Sequence, residues 1–180
     1  MLDGGIKLGR AVNRDSVIGL PVICEQTGKR LGVVEDIQYD ANNKRIKGII
    51  VSSTGYRTKN FFIDFNDIHA FGEMAIITKE DCQKKIHKEG KNNIVGKTII
   101  KDDGQELGTI SNIIFNPDDG HVEGYEISKG ILDDLVAGRS ILSGDFQPQM
   151  GGDVIVIPVE ENIELKSNNR GILNILSDSN

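Results

Sequence analysis

The residues with the greatest capacity for chemistry in this 180-residue chain are His69, His87 and His121, Cys24 and Cys82, and the aspartate pairs at 102–103, 118–119 and 133–134. The histidines lie in three separate segments without the spacing of a metal-ligand set. The cysteines are far apart and form no Cys-x-x-Cys, so neither a disulfide framework nor a zinc knuckle is encoded, and Cys24 on an apolar run reads as a small core residue. Asn116 to Gly120 resembles a calcium loop at first sight, but its glycine comes one place too early and no glutamate follows at the required distance. Gly28, Gly32, Gly104 and Gly108 match neither a Walker spacing nor Gly-x-Gly-x-x-Gly ahead of a helix, and no Gly-x-Ser-x-Gly elbow is present. Catalytic, cofactor-binding and metal residues are therefore expected to be absent, and the chain reads as non-enzymatic.

One binding pattern has physical content. Lys29, Arg30, Lys44, Arg45, Lys47, Arg57 and Lys59 are interleaved with Tyr39 and Tyr56, the composition of a basic platform on which RNA bases stack. Asp36 and Asp40 interrupt it, and Lys at strand edges also serves to discourage aggregation. The lysine-rich stretch at 79–92 is diluted by Glu80, Asp81 and Glu89 and reads as a solvated linker.

The elements that must position these residues are written twice. Gly19, Gly28, Leu31, Gly32, Ile37 and Gly48 recur as Gly96, Gly104, Leu107, Gly108, Ile113 and Gly124, offset by 77 residues at the first glycine and 76 at the rest. A period of this length marks a repeated structural unit. Within the first copy, Pro21 to Cys24, Leu31 to Tyr39, Arg45 to Ser52, Asn60 to Phe65 and Met74 to Thr78 read as strands, with a short turn at 67–69. In the second, Lys97 to Lys101, Glu106 to Phe115, Val122 to Ser128, Ser140 to Leu142 and Val154 to Val159 follow the same plan. Short strands, tight turns and no long helix predict an all-β protein of two tandem small antiparallel β-barrels, since closure removes exposed edges. The boundaries expected are 15–78 and 93–159, with a linker at 79–92 and a tail at 160–180.

The copies part at 129–139, where Ile131, Leu132, Leu135 and Val136 take helical spacing and Gly138 suits a stop, predicting a short helix inserted in the second barrel. The tail echoes it with Ile172, Leu173, Ile175 and Leu176. Burying each such side chain is worth roughly 1.5–3 kcal/mol, so these segments dock on the barrel as caps or on a partner as contacts. Ile131, Leu132, Leu135, Ile172, Leu173, Ile175 and Leu176 are the candidate contact residues.

Charge divides the chain unevenly. Residues 1–90 hold 14 Lys and Arg against 12 Asp and Glu, net +2, while residues 91–180 hold 7 against 15, net −8. An acidic second half argues against broad phosphate-backbone binding and leaves only a basic strip on the first half. No apolar run reaches the ~18 residues of a membrane span, no signal pattern opens the chain, and thiol usage fits a cytoplasm.

The run of Gly19, Leu20, Pro21, Val22, Gly28, Leu31, Gly32, Ile37 and Gly48, repeated from Val95 to Gly124, resembles the PRC-barrel. That small β-barrel is known from the cytoplasmic part of the photosynthetic reaction-centre H subunit and from the C-terminal half of a bacterial ribosome-maturation factor. The two-module layout is similar to tandem PRC-barrel proteins of Gram-positive bacteria. The resemblance implies six-stranded barrels, an interaction role and no catalytic residues. A protein-binding or adaptor role with an unidentified protein partner is the expectation, with an RNA- or ribosome-associated factor using the more basic first barrel as the alternative.

Overall fold

A computed structural model describes residues 11–53, 59–79, 94–130, 139–143, 152–158 and, as backbone, 165–167. The chain divides into two units, one of residues 1–92 with 115–122 and one of residues 93–114 with 123–180.

The first unit contains β1 (Val12–Asn13), a one-turn helix α1 (Arg14–Val17), β2 (Pro21–Cys24), β3 (Arg30–Asp40), β4 (Arg45–Ser53), β5 (Asn60–Asp64), a 3-10 turn (Phe65–Asp67), β6 (Ile68–Phe71) and β7 (Ile76–Thr78). Its six-stranded sheet has the order β5-β4-β3-β2-β7-β6. The last apolar stretch is a hairpin, β6 and β7, rather than one strand after a turn. The Asp64 carboxylate accepts the Asn66 N–H at 3.1 Å and so starts the 3-10 turn that delivers Ile68 into β6. Gly72 N–H to Ala75 O, at 3.0 Å, then closes the hairpin and leaves Met74 exposed.

The second unit contains β8 (Thr98–Lys101), β9 (Glu106–Phe115), β10 (Val122–Ser128), β11 (Ser140–Ser143), β12 (Val154–Ile157) and β13 (Leu165–Ser167), in the order β12-β8-β9-β10-β11-β13. Both units are all-β, and each pairs its first long-range strand in parallel: β2 with β7, and β8 with β12. The other pairings described within each sheet path are antiparallel.

The repeat extends to individual hydrogen bonds. Gly19 N–H reaches Val34 O and Gly96 N–H reaches Ile110 O, both at 2.8 Å. Gly28 to Cys24 and Gly104 to Lys101 close the two turns at 2.8 Å, with φ of +65° and +87° that suit glycine. Glu25 N–H bonds Thr78 O at 2.8 Å where Asp102 N–H bonds Ile157 O at 3.0 Å.

A bulge at Leu31 recurs at Leu107 and turns both leucines inward. A second bulge, at Glu35, shifts the parity of β3, so Val34 is buried and Val33 only half-buried, against simple alternation. The core of the first unit includes Val22, Val34, Ile37, Tyr39, Ile49, Val51, Ile63 and Ile76. That of the second includes Ile99, Ile110, Ile113, Tyr125, Ile127, Leu142 and Ile155.

Candidate functional site

Among the described residues, the reactive side chains serve turns, packing and a surface contact. Cys24 is buried. His69 lies 3.5 Å from the Glu25 carboxylate at the surface. Asp103 accepts the Gln105 N–H at 2.9 Å and Asp119 accepts the His121 N–H at 2.8 Å, the local bonds expected of aspartates in turns. Among the described residues no three His, Cys, Asp or Glu side chains gather as a metal set. Cys82, His87, Asp133 and Asp134 lie outside the described residues.

The basic platform is not assembled by the described residues. Lys29, Arg30 and Lys59 sit where β3 begins and β4 ends, whereas Lys44, Arg45 and Lys47 sit where β3 ends and β4 begins. The eleven residues of β3 separate the groups by about 33 Å at the usual strand rise. Tyr39 is 1% exposed, so its ring belongs to the core and has no face to offer a base. Alternation along β3 pointed inward, since Tyr39 continues the set of Leu31, Val33 and Ile37, and at such a position burial wins over display to a ligand. Lys47 is 3.8 Å from Asp40. Burial opposes ionisation of that carboxylate, but hydrogen bonds from the Asn43 side chain and backbone, the Lys47 charge and the Asn42 N–H outweigh it and hold the Asp40 pKa below its ordinary value. Tyr56 and Arg57 lie outside the described residues.

Among the described residues, two places where the second unit differs from the first bear on a site. One is a polar cluster on β9 and β10. Asp36 and Asn112 are equivalent, and each accepts the next backbone N–H, from Ile37 at 2.8 Å and Ile113 at 2.9 Å. Asp36 also binds Arg14 through two nitrogens at 3.0 and 2.8 Å. Asn112 instead faces Glu126, its Nδ2 3.5 Å from Oε2, and Arg139 Nη1 lies 3.4 Å from the same oxygen. Glu126 occupies the position of Ile50 and is buried. A carboxylate removed from water needs such partners. Arg139 directly precedes β11, so the ion pair ties the start of that strand to β10.

The second place is β12. Val154 and Val156 are 41% and 51% exposed while Ile155 and Ile157 are buried. The strand equivalent to β12 in the first unit, β7, has β6 along its outer side. Among the described residues no strand lies on the outer side of β12. Sequence reasoning missed this edge because Val-Ile-Val-Ile is apolar on both faces and gives no sign of which residues stay in water. Ile131, Leu132 and Leu135, with Ile172, Leu173, Ile175 and Leu176, lie outside the described residues, as does the expected helix.

No helix among the described residues is long and apolar enough to cross a membrane. No curated protein matches the chain. Against protein families, the PRC-barrel domain matches twice, at residues 10–81 and 88–173, which accounts for most of the chain. Each match takes in one full copy of the repeated hydrogen-bond framework, and the chain belongs to the PRC-barrel domain family, with two such modules in tandem.

Proposed function

We propose that this chain is a non-enzymatic protein-binding adaptor of the cytoplasm, in which the two PRC-barrel modules share a framework and the second carries the contact surface. The observation that supports this reading is the exposure of Val154 and Val156 side by side on a sheet edge. Exposed aliphatic residues that adjoin one another on an edge suit a partner better than bulk water. The acidic character of residues 91–180 points the same way, toward a protein with a complementary surface. Ile131, Leu132, Leu135, Ile172, Leu173, Ile175 and Leu176 are further contact residues in this reading. The RNA alternative loses its main stacking element with Tyr39 in the core.

The test is photo-crosslinking in cells of the source organism, with benzoylphenylalanine placed at Val156 and, as control, at Asn42 in the exposed β3–β4 turn. A discrete protein adduct at Val156 and none at Asn42 is expected. Equal or absent adducts at the two positions overturn the reading. Deleting Asn169–Asn180 is expected to lower the adduct yield without lowering Tm. A Tm drop of several degrees would assign the tail to capping.

A further inference from the structure

The β12 edge has directional chemistry as well as exposed side chains. Ile157 O accepts the Asp102 N–H at 3.0 Å, so the peptide groups of Ile157 face β8. Alternation along a strand turns those of Val154 and Val156 the other way, onto the outer side. No described residue pairs with them. Pro158 occupies the next outward position and has no N–H, which ends the ladder there.

In the first module the same side of β7 is filled, with Ala70 opposite Ile77 and Phe71 opposite Ile76. In the sequence, the four residues that begin eight positions before Ile155, as Ile-His-Ala-Phe begin eight before Ile76, read Gln-Pro-Gln-Met. Those four residues offer fewer apolar side chains and one fewer backbone donor.

Charge selects the occupant. Asp153 lies exposed at one end of β12, and Asp102, Asp103 and Glu106 lie exposed beyond its other end, where Lys101 pairs with Ile157. Against these four carboxylates stand Lys97, whose Nζ donates to the Gly152 carbonyl, and Lys101, whose Nζ donates to Gln105 Oε1 at 3.0 Å; both acceptors are neutral, and negative charge stays in excess among the described residues around the strand. A second copy paired through β12 would bring these carboxylates against their own counterparts. A basic segment would meet them with opposite charge.

Resting on the protein-binding reading, we propose that β12 accepts an added strand: an extended segment of a partner protein with aliphatic residues at alternate positions and Lys or Arg at both ends. Backbone bonds to Val154 and Val156 supply the pairing, the two valine side chains favour aliphatic neighbours, and Asp153 with Asp102, Asp103 and Glu106 favours basic flanks.

The experiment uses the full chain and a labelled peptide, Lys-Lys-Val-Thr-Val-Thr-Val-Lys-Lys, followed by fluorescence anisotropy at low salt. Binding is expected, with amide-exchange protection gained at Val154 and Val156. Three changes are each expected to weaken it about tenfold or more: N-methylation of alternate peptide residues, glutamates in place of its lysines, and the V154S/V156S protein, whose fold is verified by an unchanged Tm. Equal affinity for the N-methylated peptide would show charge attraction without strand pairing and overturn the proposal. A V156-dependent dimer that excludes the peptide would also overturn it, by making a second copy the occupant. No peptide binding alongside a persistent Val156 adduct rejects strand addition and leaves the protein-binding reading in place. Loss of the adduct as well rejects both.

Discussion

Gly32 passes so close to Ser52 on the neighbouring strand that a Cβ would collide with the Ser52 carbonyl oxygen, and Gly108 repeats the approach to Ser128, with the added atom 2.5 Å from its oxygen. The clash is with backbone, which cannot rotate away. Gly32→Ala is expected to cost about 3 kcal/mol, at the upper end for overpacking. Gly152→Ala is the control, because nothing lies within 4 Å of its Cβ position and its φ is not positive. That change is expected to be neutral or to stabilise by about 0.4–1 kcal/mol through the unfolded chain. Urea denaturation of the two variants checks both values, and equal midpoints would refute the close-approach account.

Glu126 and Arg139 give a second prediction. Arg139→Ala leaves the buried carboxylate with the more distant Asn112 amide alone among the bonds described above, and a loss of about 1–3 kcal/mol is expected for an under-satisfied buried polar group. Replacing the cluster by apolar residues removes the need for partners. Glu126→Ile, the residue of the first module, combined with Arg139→Met is expected to restore most of that loss or exceed wild type. Thermal melts of the single and double variants decide this. A double variant less stable than Arg139→Ala would mean that the cluster contributes net stability.

Residues that act locally were legible in the chain, and residues that act through distant neighbours were not. The turns at Gly28 and Gly104 follow from glycine in a short polar stretch, and the structure puts positive φ at both. The strands Pro21–Cys24, Glu106–Phe115 and Val122–Ser128 fall where alternation and turn residues place them. The parallel pairing of Val22 with Ile76 joins residues more than fifty positions apart, and no local pattern encodes it. β13 is three residues, Leu-Lys-Ser, too short to show a period. At the candidate edge, exposure of Val154 and burial of Ile155 depend on which side the rest of the sheet lies. Glu126 was illegible for a related reason, since a glutamate in a strand ordinarily marks the solvent side and only its neighbours reveal that this one is covered.

Asp40 makes stability depend on pH in a defined direction. Its folded-state pKa is depressed below 3.8, so its bonds to Asn42, Asn43 and Lys47 contribute fully above that value and are lost as pH falls through the lower folded-state pKa. The Tm difference between wild type and Asp40→Ala is therefore expected to be constant from pH 7 down to about 5 and to narrow below about 4, the ordinary aspartate range. Melts at matched ionic strength check it. A difference that widens in acid would contradict the sign. High salt removes only the Lys47 part, because the Asn42 and Asn43 bonds are short-ranged.

The hairpin tip at 115–122 belongs to the first unit, although it comes from the second copy of the repeat. Ile46 N–H bonds Gly120 O at 2.8 Å and Val122 N–H bonds Lys44 O at 2.9 Å. Phe115 is fully buried and meets Phe71 edge-on at 5.4 Å, with Phe65 stacked on Phe71 at 5.8 Å. Phe115→Ala removes the edge contact and leaves a void, and is expected to cost about 3–5 kcal/mol. The loss should register inside the first unit, as faster amide exchange at Ile46 under native conditions. Residues 1–92 expressed alone lack the whole tip and are expected to melt lower than the first unit does within the full chain. Adding a 112–125 peptide should recover part of the difference. A 1–92 fragment as stable as the intact first unit would show that residues 1–92 suffice and that the tip is dispensable.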